Sequence, residues 1–86
     1  MKKTMYTTTR YDYEDGYYVE VSPSYDPKGE PMYDFNLCLE GYGIKLFMFG
    51  LYTKDCSSDM WEEIIENNID DYIEEFKEYM EYLEDR

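Results

Sequence analysis

The chain has 86 residues, enough for one domain with a modest core, and its 21 acidic and 8 basic side chains give a formal net charge of −13. Binding to nucleic-acid phosphates or to an anionic membrane requires clusters of Lys and Arg, which the sequence lacks, so both are excluded as direct ligands. The apolar fraction of 43% nevertheless predicts a folded core, and the 12 Tyr supply large rings whose polar tips suit its edge.

Residues 1–52 predict an antiparallel meander of four strands. Residues 4–13 are rich in Thr and Tyr, which favours a strand, and Glu14-Asp15-Gly16 predicts the tight turn of a hairpin. Residues 17–22 alternate between apolar and polar side chains, and so do residues 32–40, which predicts two further strands. Between them, residues 23–31 contain all three prolines and predict the longest loop of the chain.

The predicted fourth strand, residues 44–52, is apolar on both faces apart from Lys45. A strand of this kind is expected in the middle of a sheet, or with its second face covered by a partner. Strict alternation divides its apolar side chains into two sets, which are Phe47, Phe49 and Leu51 against Ile44, Leu46 and Met48. Because one helix covers one face only, one set should stay open to a partner or a second copy, unless the 23–31 loop covers it.

Residues 57–85 predict one long amphipathic helix packed on one face of the sheet, which makes the fold α+β. Apolar side chains recur at helical spacing from Trp61 to Leu83, and Asp59 with Glu62 has the spacing of a capping box. A helix of about 40 Å is longer than a typical strand of about 17–20 Å, so we expect its last turns to extend past the sheet. Tyr79 and Tyr82 lie in that stretch and are predicted to contact a partner or a second copy.

Five acidic residues stand at successive i,i+4 positions along this helix, and we call them the acidic lane: Glu62, Glu66, Asp70, Glu74 and Glu78. The residues that run beside or continue the lane are Asp71, Glu75 and Glu81. Like charges at this spacing destabilise a helix by about 0.2–0.5 kcal/mol per pair, whereas interleaved lysines would stabilise it. Three interpretations follow: a solvated face, a surface that imitates a polyanion and binds a basic protein, or a surface for divalent cations, for which no ligand loop is evident.

Catalytic chemistry is not expected from this sequence. Without histidine, Ser–His and Cys–His nucleophile systems are excluded, and two separated cysteines, Cys38 and Cys56, cannot form a structural zinc site. No glycine-rich phosphate loop is present, so we expect no cofactor and no metal. The sequence has no apolar run that suits a secretory signal or a membrane span, which predicts a cytoplasmic protein with reduced thiols.

In size, acidity and build, with a β-meander followed by the acidic run WEEIIENNIDDYIEEFKEYMEYLED, the chain resembles small phage-encoded inhibitors of the anti-CRISPR and DNA-mimic type. The resemblance is one of general character. It implies a viral protein in the host cytoplasm that occupies the nucleic-acid site of a basic protein, such as a CRISPR-Cas effector. The alternatives are an immunity or antitoxin-like protein that neutralises a basic toxin, and a homo-oligomeric assembly module.

Overall fold

The fold is an antiparallel sheet of four strands in sequential order, followed by one C-terminal helix, which confirms the predicted α+β architecture. This computed structural model describes residues 8–84, so the predicted start of the first strand at residues 4–7 lies outside the described residues. The elements are β1 (Thr9–Asp12), β2 (Tyr17–Tyr25), β3 (Pro31–Leu39), β4 (Lys45–Tyr52) and α1 (Trp61–Glu84).

The β1–β2 connection is a tight turn, as predicted, and consists of one 3₁₀ turn over Glu14–Gly16. Asp15 and Gly16 both have positive φ, at 60° and 84°. Glycine takes this conformation without steric cost, and aspartate tolerates it better than most residues. The turn is closed by a backbone hydrogen bond of 2.8 Å from the amide of Tyr13 to the carbonyl of Tyr17.

The predicted loop over 23–31 is wrong in extent, because β2 continues through Pro23 and β3 begins at Pro31. Pro23 pairs with Tyr33 of β3, while the pairing of β2 with β1 ends at Val21. Among the described residues, no strand lies on the other side of Pro23. Its missing N–H therefore leaves the ladder intact, as for prolines at sheet edges.

Asp26 organises the short turn that remains between β2 and β3. One oxygen of its carboxylate accepts hydrogen bonds from the backbone amides of Lys28 and Glu30, and the other accepts one from the hydroxyl of Tyr52, all at 2.9 Å. The hydrogen bond from the Glu30 amide is the main cause that lowers the pKa of Asp26, aided by Tyr52. The carboxylate thus ties the turn to β4.

Strand β4 lies at an edge of the sheet and not in its middle, and a β-bulge breaks its alternation. Phe49 pairs with Phe35, but Phe47 pairs with Asn36, which leaves Met48 as an extra residue. Cross-strand partners share a face of a sheet, so the residues after the bulge change sides. The prediction of two separate apolar sets was therefore wrong. The β4 residues that pack against the core beneath α1 are Leu46, Met48, Phe49 and Leu51, together with Ile44 just before the strand.

The core lies between this face of the sheet and α1. Its most buried members are Val19, Val21, Phe35, Leu37, Ile69 and Phe76. Two edge-to-face aromatic contacts hold the helix, with ring centroids 4.6 Å apart for Tyr33 and Trp61 and 5.7 Å apart for Tyr17 and Phe76. Each fully buried side chain of this size contributes roughly 1.5–3 kcal/mol, so these contacts position α1.

The ends of α1 agree only in part with expectation. A 3₁₀ turn over Ser58–Met60 precedes it, and Ser57, the residue that caps this turn, makes no capping side-chain hydrogen bond. Ser57 instead donates to the Asp59 carboxylate, so the predicted capping box is wrong. At the other end, the buried positions of α1 stop at Phe76, which agrees with the expected extension past the sheet.

The two cysteines are free thiols, and both are buried. Cys38 pairs across the sheet with Tyr18 and Lys45, which places it on the face away from α1. Burial raises the pKa of the Cys38 thiol, so the thiolate form is disfavoured there.

Candidate functional site

The acidic lane lies on the solvent side of α1, because its apolar residues take the sheet side. The helix presents Ile65, Ile69 and Phe76 to the core, and the intervening positions carry acids. All eight carboxylates predicted for partner binding are exposed, namely Glu62, Glu66, Asp70, Asp71, Glu74, Glu75, Glu78 and Glu81. The structure thus brings them together on one element and leaves each accessible to a partner.

The lane is a winding path and not a straight stripe. Residues of an α-helix advance by about 100° and 1.5 Å each, so four residues turn the path by about 40° and raise it by about 6 Å. Its first members lie on the β1 side of the helix, where Glu62 and Glu66 line a small cavity with Tyr11 and Asp12. From Glu66 onward the path turns progressively away from the sheet.

Asp70, at the middle of the lane, is fixed by a contact with the sheet. The hydroxyl of Tyr13 donates a hydrogen bond of 3.1 Å to its carboxylate. That hydrogen bond is the main cause that raises the pKa of Tyr13, because the phenol gives up its proton less readily beside a carboxylate. The contact holds the end of the first hairpin against α1.

The β1–β2 turn adds two carboxylates to the acidic surface that the sequence did not predict. Glu14 and Asp15 line a groove of about 260 Å³ opposite Asp70, Asp71 and Glu74. Sequence reasoning identified Glu14-Asp15-Gly16 only as a turn, since nothing local to it shows which end of the helix it will meet. Only the packing of the hairpin against α1 places the two groups of acids across one groove.

The basic side chains of the sheet are largely engaged in ion pairs. The ion pairs among residues 8–84 are Arg10–Asp12 (2.8 Å), Arg10–Glu40 (2.7 Å), Lys45–Glu20 (2.7 Å) and Lys54–Glu30 (4.0 Å). The guanidinium of Arg10 also lies 3.7 Å from the centre of the Tyr18 ring, a cation–π arrangement. Hydrogen bonds to Glu40 and Asp12 raise the pKa of Arg10 further. None of these described pairs involves a residue of α1.

The residues predicted for an oligomer or partner contact do not form one surface. Phe49 packs on Phe35 and Tyr72, with ring centroids 4.9 and 6.1 Å apart, and Leu51 packs against the core. Phe47 lies on the opposite face of the sheet and is 56% exposed. The remaining two, Tyr79 and Tyr82, are exposed on the last turns of α1.

Within residues 8–84, no three carboxylates or thiols are grouped so that they could hold a metal ion. In the same part of the chain, no helix combines the length and apolar character needed to cross a membrane. Comparison with family models, with curated proteins and with solved structures found no match to the chain. The charge and geometry of the surface are therefore the basis on which a function can be argued.

Proposed function

We propose that the chain is an inhibitor that binds a basic, nucleic-acid-handling protein through the carboxylates of α1 and blocks access of nucleic acid. The observation that supports this most directly is the exposure of all eight predicted carboxylates on a helix that forms no ion pair among the described residues. Three of the described cations, Arg10, Lys45 and Lys54, are instead paired on the sheet and its turns, and Lys77 is the one basic residue of the helix. Its negative potential therefore faces solvent, where a basic partner can reach it.

The charge density of α1 supports imitation of a nucleic-acid strand. Ten carboxylates and one ammonium among its 24 residues give a net charge of −9. Over a helix of about 36 Å, this is about one negative charge per 4 Å, close to the 3.4 Å per phosphate along one DNA strand. A groove lined with Lys and Arg for phosphates would therefore meet a similar number of charges on α1.

The acids of the groove beside the helix extend the same surface. Glu14 and Asp15 face Asp70 and Glu74, and Lys77 is the one basic residue that lines the groove. A basic side chain that enters there meets carboxylates from two sides and a single ammonium. Attraction of this kind accelerates association and selects against acidic partners more than it adds affinity. A bacterial nuclease complex such as a CRISPR-Cas effector fits this partner class, and a basic toxin is the alternative target of the same surface.

The test begins with capture of partners from a bacterial lysate on the tagged chain, followed by elution at increasing salt. Each captured protein is then purified and titrated with fluorescent duplex DNA in the presence and absence of the chain. We expect the chain to displace the duplex and to lose affinity as salt rises. A partner that holds DNA and the chain together would contradict the proposal.

Two charge-reversal variants locate the binding surface. The first variant, Glu66→Lys with Glu74→Lys, changes the lane but spares the Tyr13–Asp70 hydrogen bond. The second, Glu30→Lys with Asp55→Lys, changes two acidic residues that lie outside the helix, just before β3 and just after β4. Each pair of reversals adds four charges, so both variants carry −9 where the natural chain carries −13. We expect the first to weaken binding by at least about tenfold and the second by less than about threefold. Equal losses would mean that net charge alone, and not the lane, attracts the partner.

A further inference from the structure

The two edges of the sheet differ in a way that the proposed function does not explain. Strand β1 has four residues and two charged side chains, Arg10 and Asp12. Short, charged edges of this kind prevent strand pairing between molecules. Strand β4 has eight residues, KLFMFGLY, of which only Lys45 is charged. Among the described residues, no strand pairs with its outer side.

The composition of β4 is that of an interior strand. Long strands with almost no charge are unusual at a sheet edge, where they would pair with other molecules, and the sequence predicted an interior position for β4. In the single chain, one of those aromatic residues, Phe47, is 56% exposed on the sheet face away from α1. A second strand on the open edge would give β4 the environment that its sequence indicates.

The bulge makes the face pattern of β4 symmetric about its centre. The residues on the open face are Lys45, Phe47, Gly50 and Tyr52, and those on the core side are Leu46, Met48, Phe49 and Leu51. The order of open-face and core-side positions is the same when the strand is followed from Tyr52 back to Lys45 as when it is followed from Lys45 to Tyr52. Two copies can therefore pair antiparallel over all eight residues with every side chain opposite one of the same face, which register requires.

We propose that the chain forms a two-fold symmetric dimer in which β4 pairs antiparallel with β4 of a second copy, giving one continuous eight-stranded sheet. In the matching register, Phe47 lies opposite Gly50 of the other copy, and Leu46 lies opposite Leu51. Gly50 has no side chain of its own on the open face, where the side chains of Met32 and Asp34 of β3 lie over it. The exposed ring of Phe47 of the other copy would therefore pack beside Met32 at this position of the seam. In the dimer, the exposed ring of Phe47 is buried, and the backbone N–H and C=O groups on the outer side of β4 gain hydrogen-bond partners.

The distribution of charge permits this association despite the net charge of each chain. Strand β4 contains no carboxylate, and by helical spacing the side of α1 that contacts it through Tyr72 and Phe49 carries Ile64, Asn68 and one carboxylate, Glu75. The acidic lane begins on the opposite side of the helix, next to β1. Repulsion between two copies therefore comes from solvent-exposed carboxylates of α1 and not from the seam itself, and salt screens it.

The test is sedimentation equilibrium of the full chain from about 1 to 500 µM, since a single-strand seam is a small interface. We expect the mass to rise from 10.5 kDa toward twice that value, and to do so more readily at higher salt. The salt dependence has the opposite sign from that of the proposed partner binding, and no partner is needed. The dimer and the inhibitor proposal can therefore fail separately.

Phe47→Lys should keep the chain monomeric throughout, because it places a charge on the seam. Tyr25→Lys is the matched control, since Tyr25 is 59% exposed at the far end of β2 and the charge change is the same. Hydrogen exchange adds a second measurement on the natural chain. The exchange rate of the β4 amides should fall as the protein concentration rises. A constant mass of 10.5 kDa, or a dimer whose β4 amides exchange at a rate independent of concentration, would overturn the proposal.

Discussion

The sheet and the helix carry their charges in opposite ways. On the sheet and its turns, Arg10, Lys45 and Lys54 each have a carboxylate within 4.0 Å, and Arg10 has two. On α1, carboxylates stand next to carboxylates at i,i+4, and Lys77 is the one basic residue within the helix. The difference shows that the net charge of this protein is not spread evenly but is concentrated on one element, at a cost to that element's stability.

An element that repels itself must be held by its apolar side. The side chains that hold α1 are Trp61, Ile65, Ile69, Ile73 and Phe76. By contrast, the strands are linked by backbone ladders along their length in addition to their packing. The following predictions separate these two kinds of stability, from the largest expected effect to the smallest.

Phe76→Ala should lower the free energy of unfolding by about 3–5 kcal/mol, because it removes a fully buried ring and its contact with Tyr17. Urea denaturation followed by circular dichroism measures the loss. The matched change in the sheet is Phe35→Ala, which is equally buried. After Phe76→Ala, we expect α1 to lose hydrogen-exchange protection before the strands do. If both substitutions leave helix and strands equally protected, α1 does not depend on its apolar side more than the sheet does.

Glu74→Lys should raise the free energy of unfolding by about 1 kcal/mol, because it turns the repulsive pairs with Asp70 and Glu78 into attractive ones. Glu40→Lys makes the same change of charge in the turn after β3 but removes the exposed ion pair with Arg10, so it should lower stability slightly. Urea denaturation at low and high salt measures both. The two effects should have opposite signs and shrink together as salt rises. Equal signs would contradict the contrast between helix and sheet.

Asp26→Asn should have the smallest effect on stability at neutral pH, and its signature is a change in the pH dependence of stability. The pKa of Asp26 is lowered in the folded chain, so its charge stabilises the fold above the ordinary value of 3.8 and this contribution is lost as pH falls below it. The amide of Asn keeps an accepting oxygen but cannot ionise. The stability difference between the natural chain and the variant should therefore be constant near neutral pH and decrease in acid. Urea midpoints from pH 7 downward measure it, and a constant difference at every pH would contradict the assignment.

The sequence predicted the elements of the fold well because their signals are local. Alternation identified β2 and β3, Thr and Tyr content identified β1, and an apolar run identified β4. Helical spacing from Trp61 onward identified α1. The bulge at Met48 could not be predicted, because it depends on how β3 and β4 align and leaves no local mark. The extent of β2 could not be predicted, because prolines usually interrupt strands, whereas Pro23 lies where β1 has already ended and is tolerated there.

The candidate site was predicted in part. Exposure of the lane follows from helical geometry once the apolar side is known, so the eight carboxylates could be named in advance. The parts that Tyr13, Glu14 and Asp15 play in the acidic surface could not be predicted, since they depend on which edge of the sheet lies beside the helix. The tertiary arrangement of a hairpin against a distant helix is not encoded in any short segment.

The winding of the acidic lane has a consequence for chirality. Because each step of four residues turns by about 40° in the sense of the α-helix itself and rises by about 6 Å, the lane is a right-handed path with a full turn of about 54 Å. A strand of DNA winds in the same hand, with a turn of about 34–36 Å. A basic groove shaped for that strand could follow the first carboxylates of the lane closely, and the two paths would then diverge as α1 continues.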